Sequence, residues 1–273
     1  MNFRRFCIPL SLVAALAAAP VPAAAWSAEG HEVIARMAAL YLTKPAKAQV
    51  EELLGGNAAD AMAKASNWAH EIEAKRPETS AWHFVNVPMA DGKYVADRDC
   101  PDGNCAVARI AADMKIVGDK TQPKEKRAEA LKFIINLMGD IHQPLRCVED
   151  GLDHGRDVKV QYGDAHTTLF DIWETQLIKA AQGTPQQLVS RLSTRTKPEH
   201  RKFWAHGSLT KWCEESAGQA KVNIHDDFYG AARLSNGELL VSLEYPDVKN
   251  RLLAELLSRA SVRLAAALNF SLK

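Results

Sequence analysis

The chain has 273 residues, of which 47% are hydrophobic and 25% are charged, a composition typical of a globular protein with a substantial core. Its 34 basic and 33 acidic residues nearly cancel, so the bulk charge favours neither a nucleic-acid nor a membrane partner. Any polyanion must therefore bind at a local site.

Residues 1–25 have the layout of a cleavable secretory signal. Two arginines precede an apolar run at 8–19, and three consecutive alanines end the segment immediately before Trp26. The run is too short to span a bilayer as an anchor, and Cys7 lies before it, where a lipoprotein signal would not place it. We predict cleavage before Trp26, with export to the periplasm or the medium. Residues 26–273 then form one domain.

Helical spacing of apolar residues dominates the rest of the chain. Such spacing, with apolar residues three and four apart, occurs at 31–42, 106–117, 126–142 and 247–270. Strand-like alternation is confined to 158–162 and 239–243. Prolines fall between the helical runs, where they start or stop helices: Pro45, Pro77, Pro123, Pro185 and Pro198. The sequence predicts an all-α, single compact multi-helix domain with a small β-hairpin and a loop-rich region from roughly Thr79 to Asn104.

Four cysteines follow the predicted signal, an even number that indicates disulfides in an oxidising compartment. Cys100 and Cys105 bracket the turn sequence PDGN and are predicted to pair locally. Cys147 and Cys213 pair by elimination and tie the middle of the chain to its later part. The alternative of four zinc-binding thiolates requires close CxxC pairs, which the sequence lacks.

The start of the predicted mature chain offers metal ligands. A free α-amine at Trp26 has an intrinsic pKa near ~8, so it gives up its proton to a metal at modest cost. The carbonyl of the same residue closes a chelate ring with that amine, and His31 adds an imidazole. This donor set suits zinc. Taken alone, these residues favour the simpler alternative that Trp26 packs in the core and His31 caps a helix.

Longer motifs change that balance. They are WAHEI (68–72), WHFVNVP (82–88), GDIHQPL (139–145), DVKVQY (157–162) and TLFDIWET (168–175). Their order, after a start at Trp26, resembles the S1/P1 nuclease family, secreted zinc enzymes that cut single-stranded DNA and RNA and remove 3′-phosphates. The resemblance implies the helical fold shared with phospholipase C, a single-stranded nucleic acid or nucleotide substrate in a local cleft, no membrane partner and a monomer.

The resemblance also implies a metal site, but an altered one. The positions of two of the family's three zinc sites hold Trp26, His31, His70, His83, Asn136 and Asp140. Asp140 is the shared, bridging carboxylate. His70 replaces an aspartate and Asn136 replaces a histidine; both can bind a metal, although an amide is a poor donor for zinc. We expect one or two zinc ions rather than three.

The third zinc site has lost its ligands. Its positions hold Arg146, Phe170 and Glu174, and neither a guanidinium nor a phenyl ring can ligate zinc. One interpretation makes Arg146 a catalytic electrostatic clamp, held by a salt bridge to Glu174. The other makes the two residues a structural ion pair that seals the abandoned site over Phe170. A further change places Arg156 where the family has asparagine.

Phe84 and Asn86 follow His83 in the motif HFVN. In the family, the corresponding residues hold a base by stacking and by hydrogen bonds. The alternative is that Phe84 belongs to the core and Asn86 to a turn.

Three functions remain open at this point. The first is an exported metal-dependent phosphoesterase acting on nucleic acid or nucleotides, with Asp140 and Arg146 as catalytic residues. The second is a catalytically silent relative that binds a nucleotide or another partner. The third is a phospholipase C-like hydrolase, which the retained HFVN motif disfavours.

Overall fold

The computed structural model describes residues 26–228 and 233–273, so the predicted signal at 1–25 lies outside the described residues. Helices make up most of the described chain, as the periodicity predicts. In chain order the α-helices are α1 (Ala28–Ala39), α2 (Lys44–Leu54), α3 (Ala58–Ala65), α4 (Trp68–Glu73), α5 (Ala96–Asp99), α6 (Ala106–Gly118), α7 (Lys124–Asp140), α8 (Leu169–Asp171), α9 (Leu177–Ala180), α10 (Pro185–Arg195), α11 (Pro198–Trp204), α12 (Leu209–Ala220), α13 (Asp226–Phe228) and α14 (Tyr245–Ser271).

Shorter helical turns connect these elements. The 3-10 helices are Pro77–His83, Pro101–Gly103, Pro144–Cys147 and Asp153–Gly155. Two π-helical segments, Ile172–Gln176 and Lys221–His225, continue α8 and α12 respectively. Among the helices of residues 26–228 and 233–273, we find none with both the length and the apolar character needed to cross a membrane.

The strands are short and lie at the edge of the helical body. β1 (Val87–Pro88) pairs in parallel with β2 (Val148–Glu149). β3 (Lys159–Tyr162) and β4 (Ala165–Thr168) form the predicted hairpin, with Val160 opposite Thr167, and β5 (Leu239–Val241) adds in parallel to β3. Gly163 in the hairpin turn has a φ of 59°, a left-handed conformation that glycine adopts without steric cost.

Helix starts follow the signals in the sequence. Thr184 and Gln187 form a capping box at α10, in which each side chain bonds the backbone of the other residue. Pro185 and Pro198 occupy the first positions of α10 and α11, where a missing N–H costs nothing. His31 lies inside α1, whose N-cap position is Ser27, so His31 is not a helix cap.

The core centres on α7. Every residue from Phe133 to Asp140 is buried, because α1, α4, α6 and α14 pack around this half of the helix. A helix surrounded in this way normally carries apolar residues on all its faces. Asn136 and Asp140 break that pattern, and both are fully buried. The fold therefore places two polar side chains at its centre.

Both predicted disulfides are present. Cys100 and Cys105 join across the 3-10 helix Pro101–Gly103, with their Cα atoms 5.2 Å apart. Cys147 and Cys213 join the end of the 3-10 helix Pro144–Cys147 to α12, with a Cα separation of 5.4 Å. The second bond fixes the segment that carries Arg146 onto the helical body.

Candidate active site

Asp140, the last residue of α7, is the centre of a buried polar cluster. His83 Nδ1 donates a hydrogen bond to Asp140 Oδ2 at 2.7 Å. The Nε2 atoms of His31 and His70 each lie 3.5 Å from Asp140 Oδ1. All four side chains are at most 2% exposed. Three imidazoles from different elements thus converge on one carboxylate.

Close helix packing brings the three histidines to Asp140. His31 comes from α1 and lies against Gly139, where a Cβ atom would be only 2.7 Å from His31 Nδ1. His70 comes from α4 and His83 ends the 3-10 helix Pro77–His83. The His70 and His83 rings stack with their centroids 4.2 Å apart. Glycine at position 139 is therefore a requirement of the geometry.

The protonation states of the side chains in the cluster favour the binding of a metal cation. Burial, and secondarily the charge of His70, lowers the pKa of His83 to about 4. Burial also lowers the pKa of His31. Burial opposes ionisation of Asp140, but Arg146, His70 and His83 together hold the pKa of this carboxyl well below its usual range. At neutral pH, Asp140 is an anion and His31 and His83 are neutral, the forms that ligate metals.

His70 behaves differently from its two neighbours. Burial lowers its pKa, but the charge of Asp140 and a hydrogen bond to it outweigh burial, so the net shift is upward. The upward shift favours the protonated form of His70, whose positive charge beside Asp140 would add to that of Arg146. A divalent metal that displaced this proton would raise the positive charge beside Asp140 by one unit.

Several buried atoms in the cluster lack hydrogen-bond partners among the described residues: both ring nitrogens of His31, Nε2 of His83, Oδ1 of Asp140 and Oδ1 of Asn136. Each such atom costs about 1–3 kcal/mol if left unsatisfied. Since His83 donates through Nδ1, its bare Nε2 carries a lone pair, an arrangement typical of metal-ligating histidines. The donors present fit a divalent metal such as zinc.

Within residues 26–228 and 233–273, two overlapping groups of residues have the spacing needed to hold a metal ion. One contains His31, His70 and Asp140, and the other contains His70, Glu73 and His83. In each group the potential ligand atoms lie within 4.8 Å of one another. His70 belongs to both groups. The arrangement suits up to two ions side by side.

Sequence reasoning missed Glu73. It lies three residues after His70 on α4, a spacing that puts both side chains on one helix face. Glu73 accepts a hydrogen bond from Ser80 at 2.6 Å. The bond with His70, with a smaller contribution from Ser80, lowers the pKa of Glu73 to about 2 against the effect of burial. The signal in the sequence was the His-x-x-Glu spacing.

Asn136 precedes Asp140 by one helical turn. Its Nδ2 donates to the Ser66 carbonyl at 2.8 Å, which fixes the orientation of the amide. Its buried Oδ1 then has no hydrogen-bond partner among the described residues. An oriented amide oxygen is what a metal ligand at this position requires, although ligation by Asn136 stays a prediction.

Trp26 is anchored beside the cluster. Its side chain is fully buried, and its Nε1 donates to the Gly139 carbonyl at 3.1 Å. The next residue, Ser27, donates its backbone N–H to the Glu174 carbonyl at 2.7 Å. The structure thus brings the predicted mature N-terminus to the end of α7. Ligation through its amine depends on cleavage and stays a prediction.

Arg146 and Glu174 form the predicted ion pair. Arg146 Nε lies 3.1 Å from Glu174 Oε1, and Gln143 donates to the same oxygen at 2.8 Å. Arg146 Nε is also 3.7 Å from Asp140 Oδ1. Burial raises the pKa of Glu174 to about 7, although Arg146 opposes this shift. Glu174 lies in a π-helical segment, a feature frequent at functional sites.

Phe84 and Asn86 border a cavity of about 1010 Å³ that reaches the cluster at Glu73. Asn86 is exposed and Phe84 is partly buried. The His154 ring centroid lies 4.5 Å from that of Phe84, and the guanidinium carbons of Arg146 and Arg156 lie 4.6 Å from it. A base stacking on Phe84 would have to share the ring with these groups, and base contact by Phe84 and Asn86 stays a prediction.

The other histidines near α7 face away from Asp140. His142 Nδ1 donates to the Met138 carbonyl at 2.7 Å, and its Nε2 accepts from Arg263 at 3.1 Å. It is thus a helix-end residue, as its position after α7 suggests. His154 Nδ1 donates to the Leu145 carbonyl at 3.0 Å.

A helical domain with three histidines gathered on a buried aspartate has the architecture of a helical metallohydrolase. The profile of the family described as S1/P1 Nuclease matches residues 26–273. The chain belongs to this family. Nuclease S1 of Aspergillus oryzae is 27% identical over 89% of this chain and 91% of that protein. Endonuclease 2 of Arabidopsis thaliana is 27% identical over 89% of each chain.

Nuclease P1 of Penicillium citrinum is 23% identical over 78% of this chain and 86% of its own. These similarities support a nuclease or phosphoesterase function, and nucleases of this family are metal-dependent. The family and the fold agree with the expectation from the sequence motifs.

Proposed function

We propose that this protein is an exported, metal-dependent phosphoesterase with one or two zinc ions. Its substrates would be phosphodiester bonds of single-stranded DNA or RNA, or 3′-phosphates. The observation that carries the proposal is the convergence of His31, His70 and His83 on Asp140. Among the described residues, both ring nitrogens of His31, Nε2 of His83 and Oδ1 of Asp140 are buried without a hydrogen-bond partner. A cluster without a cation would bear the cost of those unsatisfied atoms.

The ligands we assign come from five elements of the chain. They are the amine and carbonyl of Trp26, and the side chains of His31, His70, Glu73, His83, Asn136 and Asp140. Zinc bound there would polarise the phosphate and supply a nucleophilic water at neutral pH. Asp140 is ionised at neutral pH, so both of its oxygens are available, Oδ1 on the side of His31 and His70 and Oδ2 on the side of His83.

Arg146 takes the place of the third ion in this proposal. A guanidinium supplies a permanent positive charge and two parallel N–H donors for a phosphate. Glu174, which also accepts a hydrogen bond from Gln143, holds the guanidinium in one orientation, as an electrostatic clamp requires. Phe84 lines the cavity where substrate would lie, and its ring centroid is 4.6 Å from the Arg146 guanidinium carbon.

One observation favours a second candidate, a catalytically silent relative that binds a nucleotide. Arg146 is 1% exposed and is bonded to Glu174, so its charge is already neutralised inside the protein. A pair of this kind seals an abandoned metal site as well as it clamps a phosphate.

Metal content and hydrolysis measured on one preparation decide between the two. The mature protein, with its N-terminus determined by mass spectrometry, should begin at Trp26 and contain one or two zinc ions by elemental analysis. It should release product from single-stranded DNA, RNA or 3′-mononucleotides. Bound zinc without hydrolysis supports the silent relative, and a protein without zinc after zinc reconstitution overturns the proposal. Hydrolysis of phosphatidylcholine alone would indicate a phospholipase.

A further inference from the structure

Trp82 and Arg109 form a stacked pair on the wall of the same cavity. The Arg109 guanidinium carbon lies 4.1 Å from the centroid of the Trp82 ring and 4.5 Å from that of Phe133. Both Trp82 and Arg109 line the cavity, together with Phe84 and Arg156. Neither has a part in the catalytic site proposed above.

Hydrogen bonds and ring packing hold this pair in place. Arg109 Nε donates to Asp113 at 2.7 Å, and Asp113 is fully buried. Trp82 Nε1 donates to Asn104 at 2.8 Å. The Trp82 ring also packs edge-on against Phe133, with the centroids 5.2 Å apart. A ligand that meets Trp82 and Arg109 would not have to order either side chain, which favours affinity.

The groups that reach the cavity suit a nucleotide. Arg109 uses Nε for Asp113, and its side chain stays 23% exposed, so its terminal nitrogens can donate to a phosphate in the bidentate manner typical of arginine. The partly buried indole of Trp82 offers an aromatic surface, and stacking on such a surface is worth about 1–3 kcal/mol per base. Asp102 and Asp153 also line the cavity and repel phosphate elsewhere on its wall.

The size of the cavity leaves room for this second position. Its volume of about 1010 Å³ lies at the upper end of the ~300–1,000 Å³ typical of sites for a single small ligand. Phe84 and Arg156 occupy one part of the wall, and Trp82 and Arg109 are a separate aromatic–arginine pair. Two such pairs in one cavity offer positions for two nucleotides.

We propose that Trp82 and Arg109 form a second nucleotide subsite for single-stranded polynucleotides, in which Trp82 stacks on a base and Arg109 binds a backbone phosphate. This inference rests on the substrate class of the proposed function and deepens it. The subsite gives an oligonucleotide an advantage in binding over a mononucleotide, which reaches only one of the two pairs.

A second cation–aromatic pair that also contacts Phe133 provides a matched control. The Lys132 ammonium lies 4.8 Å from the Trp68 ring centroid, and Trp68 packs edge-on against Phe133 at 5.2 Å. In the described part of the chain, neither Lys132 nor Trp68 lines the cavity. Lys132→Ala therefore removes one positive charge from a similar cation–aromatic pair without touching the proposed subsite.

The test is equilibrium binding of a fluorescent oligothymidylate and of thymidine 3′-monophosphate to the mature protein, in zinc and in EDTA. Trp82→Ala should weaken oligonucleotide binding by about 5- to 150-fold, the equivalent of one lost stacking contact. Arg109→Ala should reduce the slope of log affinity against log salt by about 0.7, the value for one phosphate contact on a single strand. Mononucleotide binding should stay unchanged in both variants, and Lys132→Ala should bind like the parent.

Arg109→Lys keeps a cation beside Asp113, so it still tests the subsite if the alanine variant does not fold. It should retain the salt slope of the parent but bind the oligonucleotide more weakly, because an ammonium lacks the bidentate geometry. Thermal melting shows whether each variant is folded.

Several results would overturn the subsite. They are unchanged oligonucleotide affinity in folded Trp82→Ala and Arg109→Lys, equal losses for mononucleotide and oligonucleotide, or no oligonucleotide binding by the parent. Oligonucleotide binding in EDTA does not depend on hydrolysis. The experiment can therefore contradict the subsite without contradicting the phosphoesterase activity, and the reverse. A protein that binds oligonucleotides through Trp82 and Arg109 without cleaving them overturns the catalytic proposal alone.

Discussion

Asp140 and Glu174 are two buried carboxylates on either side of one guanidinium, yet their pKa values shift in opposite directions. Arg146 Nε lies 3.7 Å from Asp140 and 3.1 Å from Glu174. Asp140 also has His70 and His83 beside it, and its pKa falls well below the usual range. Glu174 has the nearer guanidinium, but burial prevails and raises its pKa to about 7.

The difference lies in how many positive or donating groups surround each carboxylate. Three histidines crowd Asp140, and in the described part of the chain the His31 ring nitrogens, His83 Nε2 and Asp140 Oδ1 have no hydrogen-bond partner. Glu174, in contrast, is satisfied by Arg146 and Gln143. One region is therefore incomplete without a cation, and the other is complete as a protein ion pair. We expect metal ions at Asp140 and none at Glu174.

The largest effect should come from Asp140→Ala. This variant removes the carboxylate common to all three histidines, so it should lose bound zinc and show only background hydrolysis. Elemental analysis and a nuclease assay check both losses. His166→Ala serves as the control, because its exposed ring pairs with Glu238 at the hairpin and not with Asp140. Full metal content in Asp140→Ala would contradict the assignment of the centre.

Removal of metal should destabilise the protein strongly. A ligand that binds only the folded state and is present at 1,000 times its Kd stabilises by about 4 kcal/mol. For a domain of this size, that corresponds to a fall in Tm of roughly 10 °C on chelation. Differential scanning calorimetry with and without EDTA measures it. An unchanged Tm would mean that the unsatisfied atoms around Asp140 hold no metal.

Replacing the whole ion pair separates its structural role from its catalytic one. A buried pair exchanged for apolar residues of similar volume is often neutral or more stable by ~1–4 kcal/mol. The double variant Arg146→Met with Glu174→Leu should therefore fold and bind zinc. If Arg146 clamps the phosphate, kcat should fall by about 10²- to 10³-fold. Undiminished hydrolysis would leave the pair a purely structural element.

Asp113 is a third buried carboxylate whose pKa can be compared with those of Asp140 and Glu174. Like Glu174, it is a buried carboxylate beside a single guanidinium, and burial raises its pKa to about 6 against the influence of Arg109. A raised carboxyl pKa makes the folded state lose stability as pH rises from about 4 to about 6, with no further loss above. The stability of Asp113→Asn relative to the parent should therefore increase over this interval, by up to about 3 kcal/mol.

Denaturant unfolding of both proteins at several pH values measures this difference. A relative stability that does not vary between pH 4 and pH 6 would contradict the raised pKa. The slope of the parent alone is less informative, because Glu73 and Asp140 have lowered pKa values and titrate with the opposite sign.

Local patterns in the sequence predicted the helices, and the resemblance to the S1/P1 nuclease family predicted which residues come together at Asp140. Apolar periodicity located α1, α6, α7 and α14 to within a few residues, since their buried faces are written at helical spacing. The motif GDIHQPL placed Asp140 at the end of α7. The resemblance also anticipated the contact between Arg146 and Glu174, which are 28 residues apart.

What the sequence did not predict depends on packing between distant elements. Glu73 lies beside a histidine on α4, but only the approach of the segment that carries His83 makes it a candidate ligand. Trp82 and Arg109 meet because α6 packs beside the 3-10 helix Pro77–His83, and no local pattern indicates this contact. The sequence likewise did not predict that His154, Arg146 and Arg156 lie against the Phe84 ring.

The absence of a side chain at Gly139 has a consequence for how such a protein loses its activity. A methyl group there would collide with the imidazole of His31 and push apart α1 and α7, the two helices that carry His31 and Asp140. The sequence would still contain every donor residue, but their side chains would no longer converge on Asp140. Inspection of ligand residues alone would count that variant as intact, so the spacing between helices is as much a part of the catalytic machinery as the atoms that bind.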